Sequence, residues 1–353
     1  MDIKKFYKNK KILIIGASGF KGSWLSLWLK ILESKVYGIG HTPNNNKRLF
    51  NQLNLKKHIN IQNIDIRNYN RLFNYIKKIK PEIIFHLAAQ PLIPKSYQLP
   101  KYTYDVNSFG TLNLIDALTK MKFVKSAIFV TSDKCYQSNE STKGFKENDK
   151  LGGIDPYSGS KACAEIIVNT YYHSFFKNKI SSGIATARAG NVIGGGDWSK
   201  DRLIPDAIKS LSDKKKIIIR NPNFNRPWQH VLEPLNGYLE LGMKLYRNPE
   251  KYSGAWNFGT EKKTITSVEQ IIKKLIKYWG YGNYKKYNKK KFYEQINLQL
   301  NISKSKKNLN WKPKLSIDEC ISITVDWYKK TLQNKKTALE MTKSQIYKYM
   351  NNG

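Results

Sequence analysis

Short apolar runs alternate along the first half of the chain with longer segments whose apolar residues recur at helical spacing. Short apolar runs between turn signals predict buried strands, and a period near 3.6 residues predicts helices that pack on one face. Strands are predicted at residues 11–15, 36–40, 59–64, 83–87 and 182–189, with a further strand leading into residue 131. Helices are predicted at residues 23–30, 68–80, 105–120 and 162–177.

This alternation is typical of α/β proteins with a doubly wound, mainly parallel sheet and right-handed crossovers. We expect a Rossmann-type dinucleotide-binding domain over residues 1–189, to which residues 231–258 return. Loops that contain glycine and proline follow residue 190, and a helix-rich tail closes the chain. Residues 190–230 and 259–353 are therefore expected to form a smaller C-terminal substrate-binding domain.

A glycine turn joins the first predicted strand to the first predicted helix. It reads Gly-Ala-Ser-Gly-Phe-Lys-Gly over residues 16–22. Glycines at these positions let the backbone turn tightly and approach a pyrophosphate, while the following helix offers free N–H groups and a partial positive charge. Strand, turn and helix together predict a dinucleotide site, whereas a glycine triplet alone is weak evidence.

The second predicted strand does not end in the Asp or Glu that usually holds the ribose 2′-hydroxyl of NAD. His41 and Thr42 follow it instead, with Lys47 and Arg48 nearby. Because basic residues suit a 2′-phosphate, this pattern leaves NADP open.

Polar side chains follow several of the predicted strands. Ser132, Asp133, Gln90 and Asn191 each come after the end of a strand. Ligands of parallel sheets bind at the carboxyl ends of the strands, so these residues are expected to surround one site. We interpret His86, within a strand, as a packed residue rather than a ligand.

Tyr157 and Lys161 are spaced so that a helix places both on one face. A nearby ammonium favours the phenolate, which could then take a proton from a substrate hydroxyl held by Ser132. These groups suffice for reversible alcohol oxidation by a nicotinamide. Asp133 and Lys134 are extra: an acid beside the hydride site can protonate a leaving hydroxyl, and a base can remove a carbon-bound proton. The pair therefore points to elimination after oxidation.

Composition limits the other possibilities. The chain carries 62 Lys and Arg against 26 Asp and Glu, a formal charge of +36. Such a charge suits a nucleic acid or membrane surface, but also an A/T-rich genome, whose codons favour Lys, Asn and Ile. No apolar run reaches the length of a membrane span, and no signal peptide precedes the first strand. Three cysteines without paired spacing indicate a reducing cytoplasm with no disulfide or zinc site.

Loops beyond residue 190 are rich in groups that bind phosphate or stack on rings. They include Arg202, Arg220, Arg226 and Trp228, and residues 225–231 are the densest segment. Guanidinium groups bind phosphate bidentately, so these loops are predicted to contact an anionic, ring-containing substrate.

Longer stretches carry a family resemblance. The glycine turn, the Tyr-x-x-x-Lys pair and the strand-end hydroxyl resemble the extended short-chain dehydrogenase/reductase family, in its nucleotide-sugar epimerase and dehydratase group. The matching stretches are GFKGSWLSLWL (19–29), HLAAQPL (86–92), TSDKCY (131–136), LGGIDPYSGSKACAE (151–165), ATARAGNVIGGGDW (185–198), DRLIPD (201–206), RNP (220–222), RPWQHVLEPLNGY (226–238), WNFG (256–259) and NWKPKLS (310–316).

The resemblance implies a lyase that uses NAD and acts on CDP-glucose, releasing water and CDP-4-keto-6-deoxyglucose. Tyr157 would remove the C4 hydroxyl proton, and Asp133 would be the acid at the C6 hydroxyl. Lys134 stands where related thymidine-nucleotide dehydratases have Glu, so the resemblance leaves its role as the C5 base open. The catalytic set is then Ser132, Asp133, Lys134, Tyr157 and Lys161.

The resemblance also implies binding residues and partners. The cofactor would contact Gly16, Ser18, Gly19, Phe20, Lys21, Gly22, Asp65, Ile66, Leu87, Ala88, Ala89, Asn107, Tyr157 and Lys161. The nucleotide sugar would contact Gln90, Asn191, Arg202, Leu203, Ile204, Arg220, Arg226 and His230. A cytoplasmic homodimer through helices near 105–120 and 161–177 is implied, with a role in deoxysugar biosynthesis for lipopolysaccharide O-antigen. No metal, nucleic acid or membrane partner is expected.

Two other interpretations stay open. One is another nucleotide-sugar dehydratase or an epimerase of the same family; an epimerase needs no leaving-group acid, so Asp133 and Lys134 weigh against it. The other is a basic nucleic-acid-binding protein on a dinucleotide fold, for which the only support is the net charge.

Overall fold

A computed structural model describes residues 2–41, 48–137, 144–178, 182–261, 266–287 and 298–352. Within them, seven parallel strands form the central sheet in the order β11-β6-β5-β4-β1-β2-β3. The strands are β1 (Lys11–Ile15), β2 (Lys35–Ile39), β3 (Asn60–Gln62), β4 (Ile83–His86), β5 (Ser126–Val130), β6 (Gly183–Ala189) and β11 (Gly254–Phe258). The predicted doubly wound α/β fold is confirmed.

The strand order reverses between β1 and β4, which pair with Ile12 opposite Ile83 and Ile15 opposite His86. Strands β2 and β3 lie on one side of β1, and β4, β5, β6 and β11 lie on the other. A crevice opens at such a switch point, beyond the carboxyl ends of the strands. The glycine turn after β1 therefore lies at the edge where β4, β5 and β6 also end.

Helices cover both faces of this sheet and build the C-terminal part. They are α1 (Ile3–Tyr7), α2 (Phe20–Ile31), α3 (Leu49–Gln52), α4 (Tyr69–Ile79), α5 (Ile93–Gln98), α6 (Pro100–Tyr104), α7 (Gly110–Thr119), α8 (Pro156–Tyr171), α9 (Leu203–Ser212), α10 (Leu232–Arg247), α11 (Pro249–Tyr252), α12 (Val268–Trp279), α13 (Ile317–Gln333) and α14 (Ala338–Asn351).

Two apolar cores lie on opposite faces of the sheet because alternate strand residues point to opposite sides. Leu13 and Ile15 pack with residues of α4, α7 and α8. Ile12 and Ile14 pack with residues of α2 and α10, and this core continues into the C-terminal helices. The sheet is thus a layer between helices, which leaves the strand ends as the open edge.

Short strand pairs build the part beyond the sheet. They are β7 (Val192–Ile193) with β10 (Gln229–His230), β9 (Asn225–Arg226) with β12 (Thr266–Ser267), and β8 (Ile217–Ile219) with β13 (Tyr284–Lys286). Only two residues separate the end of β6 from the start of β7, so this part is joined directly to the strand-end edge. No helix of the described residues is long and apolar enough to cross a membrane.

Some element boundaries differ from those predicted. The strand expected over 59–64 is only Asn60–Gln62. The helix expected over 162–177 begins earlier, because Asp155 caps it by accepting from Ser158 N and Pro156 occupies its first turn. The helix predicted over 105–120 begins with a wider π-helical turn, Asp105–Phe109, which lies between α6 and α7. A second π-helical turn, Tyr172–Phe176, extends α8 at its C-terminal end.

Candidate active site

The glycine turn has the geometry of a dinucleotide cradle. Gly16 has φ +93°, and a Cβ on it would lie 2.6 Å from Ala88 N. A Cβ on Gly22 would lie 2.0 Å from the carbonyl oxygen of Gly16. Gly19 caps α2 without a side-chain hydrogen bond, so the first-turn N–H groups are left for a ligand. These residues fit a pyrophosphate.

A cavity of about 890 Å³ runs from this turn across the strand ends into the C-terminal part. Its volume lies in the upper part of the range for ligand sites. Among the predicted site residues, its walls contain Gly16, Gly19, Phe20, Lys21, Gly22, Leu87, Ala89, Ser132, Asp133, Lys134, Tyr157, Lys161, Asn191, Arg202, Leu203, Ile204, Arg220 and Arg226. The structure therefore brings all five proposed catalytic residues together with part of each predicted binding set.

Asp133 is a buried carboxyl group in the wall of this cavity. Ser132 Oγ donates to Asp133 Oδ1 over 2.9 Å. The other oxygen, Oδ2, is buried and has no hydrogen-bond partner among the described residues. Burial raises the pKa of Asp133, which favours the protonated acid, although Lys134, Ser132, Arg226 and Lys21 act in the opposite direction. The site thus holds an acid with an oxygen left for a substrate.

Tyr157 and Lys161 lie on α8 and both line the cavity. Burial raises the pKa of Tyr157 to about 12, while its hydrogen bond with Ser132 lowers it. Burial lowers the pKa of Lys161 to about 8, and its Nζ donates to the carbonyl of Val130 over 3.2 Å. The sequence-based expectation that Lys161 would bring the tyrosine pKa below its usual value is not met, because desolvation outweighs the charges around the phenol.

A buried network behind the strand ends holds these groups and was not predicted. Glu165, one turn after Lys161, accepts from Thr186 Oγ1 over 2.7 Å and from the Arg188 guanidinium over 2.7 and 2.9 Å. It also accepts from Thr131 Oγ1, next to Ser132. Arg188 in turn donates to Tyr136 Oη over 2.6 Å. The network ties α8 to β6 and to the residues on either side of the Ser132-Asp133-Lys134 segment. In the sequence, the only sign of it was that Glu165 and Arg188 lie within stretches that carry the family resemblance.

Several predicted cofactor residues lie outside the cavity wall. Ser18 lies against Gly40, and Ala88 against Gly16. Asp65 forms an ion pair with Arg67 at 2.6 Å. Ile66 packs on Gly110 at the start of α7. Asn107 donates to Gln90 O in the loop after β4 and to Ser160 Oγ on α8. Of the basic residues considered for a 2′-phosphate, Arg48 lines the cavity, whereas Lys47 lies outside the described residues, as does Thr42.

Two predicted substrate residues are also outside the wall. Gln90 is buried, and its amide donates to Leu92 O and Thr103 Oγ1 over 3.1 and 3.0 Å, which fixes the loop after β4. His230 is fully buried in β10 with its ring edge-on to Trp24. Burial lowers the pKa of His230 to about 3, so it is neutral at physiological pH. Both side chains belong to the scaffold of the site.

The substrate end of the cavity is basic and partly aromatic. Arg202 Nη1 lies 3.4 Å from Asp197 Oδ2, and Arg220 Nη2 lies 3.4 Å from Asp201 Oδ1. The Arg226 guanidinium stacks on the Phe224 ring at 5.1 Å. Phe224 and Trp228 add ring surface. Residues 91–94, none of which was predicted as a site residue, also line the cavity. No group of three or more His, Cys, Asp or Glu that could hold a metal occurs in the described ranges.

Sequence comparisons place the chain among nucleotide-sugar enzymes. A family profile described as GDP-mannose 4,6 dehydratase matches residues 13–324. CDP-glucose 4,6-dehydratase of Salmonella typhimurium is 40% identical over 352 residues, which cover 98% of both chains. A dTDP-D-glucose 4,6-dehydratase of Dictyostelium discoideum is 27% identical and covers 91% of this chain and 82% of that protein.

Solved structures show the same fold. UDP-glucose 4-epimerase of Thermotoga maritima, solved with UDP-glucose, superposes with a TM-score of 0.79 at 22% identity over 91% of this chain and 99% of that chain. A dTDP-glucose 4,6-dehydratase of Bacillus anthracis, solved with NAD, gives a TM-score of 0.76 at 22% identity over 92% of this chain and 98% of that chain. At these identities the match concerns the fold.

Proposed function

The chain belongs to the GDP-mannose 4,6 dehydratase family, and from this membership we propose that it converts CDP-glucose to CDP-4-keto-6-deoxyglucose and water. The observation that carries the proposal is the buried Asp133 carboxyl group, with one oxygen unpartnered among the described residues, in the same cavity as Tyr157, Ser132 and Lys161. Oxidation at C4 needs Tyr157, Ser132 and Lys161, whereas loss of the hydroxyl needs the Asp133 acid. The family resemblance seen in the sequence motifs is confirmed by the family match.

The reaction divides into oxidation and elimination. Tyr157 removes the C4 hydroxyl proton and Ser132 holds that oxygen. Lys161 lies one turn further along α8 and lines the same cavity. The glycine turn of Gly16, Gly19 and Gly22 would hold NAD, which when bound would supply a hydride acceptor for C4 and a hydride donor for C6. The 4-keto group acidifies C5–H, and Asp133 then protonates the departing C6 hydroxyl. Lys134, beside Asp133 and partly exposed in the cavity, is our candidate for the C5 base.

The basic wall of the cavity suits the diphosphate of the substrate. Arg202, Arg220 and Arg226 provide guanidinium groups, which bind phosphate through paired hydrogen bonds. Asn191, Leu203 and Ile204 line the same cavity. We assign cytidine on the likeness to the Salmonella relative, and a sugar 4-epimerase remains the second candidate because its fold is the same. Asp133 favours the dehydratase, since epimerisation expels no hydroxyl.

A panel of nucleotide sugars tests this assignment. Purified protein with NAD is incubated with CDP-, UDP-, dTDP- and GDP-linked glucose, and the products are identified by mass spectrometry. We expect CDP-glucose alone to lose water at a high rate, without net reduced cofactor, because the hydride returns to the sugar. Faster dehydration of another nucleotide sugar would contradict the cytidine assignment, and a change of sugar configuration without water loss would indicate an epimerase.

We also propose a homodimer formed by the helices near residues 105–120 and 161–177. Large apolar side chains remain exposed on and beside α6, α7 and α8: Tyr104, Phe109, Ile166 and Phe175 are 36%, 56%, 55% and 44% exposed. A second copy covering these helices would bury that surface, and apolar burial drives such association.

Replacing Phe109 and Ile166 with Glu should weaken the dimer. Each substitution places a charge where apolar surface would be buried, and we expect the dimer dissociation constant to rise by about 30-fold or more. Sedimentation velocity over a concentration series measures it. The matched control is Tyr347→Glu, a 50% exposed aromatic on α14, which should leave the distribution unchanged. A wild-type monomer at all concentrations would contradict the proposal.

The remaining assignments follow from the same function. We propose a cytoplasmic enzyme of deoxysugar biosynthesis for cell-surface O-antigen, without nucleic-acid or membrane partners. We also propose the division into a dinucleotide-binding domain over 1–189 with 231–258, and a nucleotide-sugar-binding domain over 190–230 and 259–353. In support, β11 pairs with β6 in the main sheet.

A further inference from the structure

Lys21 belongs to the glycine turn predicted to hold the cofactor, but it also lies in the wall of the reaction site. It lies in the first turn of α2, and its side chain lines the cavity with Asp133 and Lys161. Its Nζ lies 3.5 Å from Oη of Tyr238 and 5.8 Å from the centre of that ring. Tyr238 is fully buried on α10, so its hydroxyl gives the Lys21 ammonium a fixed partner.

The charges around Lys21 connect it to Asp133. Burial and the cations of Arg202 and Lys161 lower the pKa of Lys21 to about 7, and the Asp133 carboxylate acts in the opposite direction. Reciprocally, Lys21 lowers the pKa of Asp133 together with Lys134 and Arg226. An ionised Asp133 therefore favours the ammonium form of Lys21 at neutral pH, and a protonated Asp133 favours the amine.

We propose that Lys21 is a positioning residue for the Asp133 acid, whose ammonium, held by Tyr238, balances the carboxylate formed when Asp133 releases its proton. The inference rests on the proposed dehydratase function and assigns to Lys21 a role in elimination besides any contact with the cofactor.

The charge balance follows the elimination step. The C5–H proton passes to the base and its electron pair forms the C5–C6 double bond. The C6–O bond breaks, its electrons leave with the hydroxyl oxygen, and the Asp133 proton converts that oxygen to water. Asp133 is then a carboxylate in a buried site, where an unpaired charge is costly. The Lys21 ammonium lowers that cost, whereas C4 oxidation leaves Asp133 unchanged and gains nothing from it.

Two substrates separate the steps in the full-length protein loaded with NAD. CDP-6-deoxyglucose can be oxidised at C4 but has no C6 hydroxyl to lose, so reduced-nicotinamide absorbance reports oxidation alone. CDP-glucose reports elimination through the 4-keto-6-deoxy product. For Lys21→Met at saturating NAD, we expect elimination to fall by about 10- to 100-fold, the effect of one to two pKa units, and oxidation to fall much less. Lys21→Arg should restore most of the elimination.

The pH dependence gives a readout that a structural role would not change. Elimination falls as pH rises through the pKa of Asp133, because the acid must be protonated. Loss of the Lys21 charge raises that pKa, so the falling limb of Lys21→Met should move to higher pH while its plateau is lower. The other titratable or charged groups around the pair are unchanged in this variant: Arg226, Lys134, Arg202, Lys161, Tyr157 and Tyr238. Lys30→Met, in the last turn of α2, is the matched control and should match wild type.

Each other outcome counts against the inference. Equal losses of oxidation and elimination in Lys21→Met would confine Lys21 to cofactor binding. A lower plateau with an unmoved limb, or unchanged elimination, would also overturn it. Wild-type protein that oxidises and dehydrates none of the CDP-sugars would instead refute the proposed function, and the role of Lys21 would fall with it.

Discussion

Tyr157→Phe should lose about 10³-fold in the rate of C4 oxidation of CDP-glucose, within the range for removal of a general acid–base group. The substitution deletes only the phenolic oxygen, so the ring keeps its packing on α8. Because the pKa of Tyr157 is raised to about 12, the phenolate fraction of wild type grows with pH through the neutral range. The wild-type oxidation rate should therefore rise with pH, while that of the variant should not.

Single-turnover absorbance of the reduced nicotinamide measures this step, and calorimetry with CDP-glucose shows whether binding is kept. Tyr171→Phe is the control, since Tyr171 lies on the same helix and its hydroxyl lies 3.4 Å from Asp116, away from the cavity. The control should oxidise at the wild-type rate. Full oxidation by Tyr157→Phe would mean that another group takes the hydroxyl proton.

Local rules explain which parts of the fold and site could be predicted. A glycine turn between an apolar run and a helical segment has few conformations, and Gly16 and Gly22 occupy positions where a Cβ would clash. Helical spacing placed Tyr157 and Lys161 together, and parallel pairing brought Ser132, Asp133 and Asn191 to one edge. These predictions needed only chain direction and periodicity.

Side-chain direction and long-range packing explain what could not be predicted. Gln90 lies after the correct strand, yet its amide turns back to Leu92 and Thr103, a choice that spacing does not encode. His230 belongs to the segment 225–231 that was predicted to contact the substrate, but its ring packs against Trp24 in the core. Lys21 and Tyr238 meet across 217 residues, so their contact exists only in the folded chain. Desolvation of Tyr157 likewise depends on what covers it.

Asp133→Asn should separate the two halves of the reaction. Asn keeps the size of Asp and can still accept from Ser132 through Oδ1, where the 2.9 Å hydrogen bond now lies. It cannot deliver a carboxylic proton at the position of Oδ2, which has no other partner among the described residues. We therefore expect elimination from CDP-glucose to fall by about 10²- to 10⁴-fold while C4 oxidation is retained.

The signature of this block is a reduced cofactor that accumulates with CDP-glucose, since the hydride taken from C4 has no acceptor at C6. Oxidation of CDP-6-deoxyglucose should proceed at the wild-type rate in the same preparation, which shows that the site is intact. Asp326→Asn, a 48% exposed carboxylate on α13, is the matched control. Unchanged dehydration by Asp133→Asn would remove this carboxyl group from the mechanism, and the charge on Lys21 would then have no acid to balance.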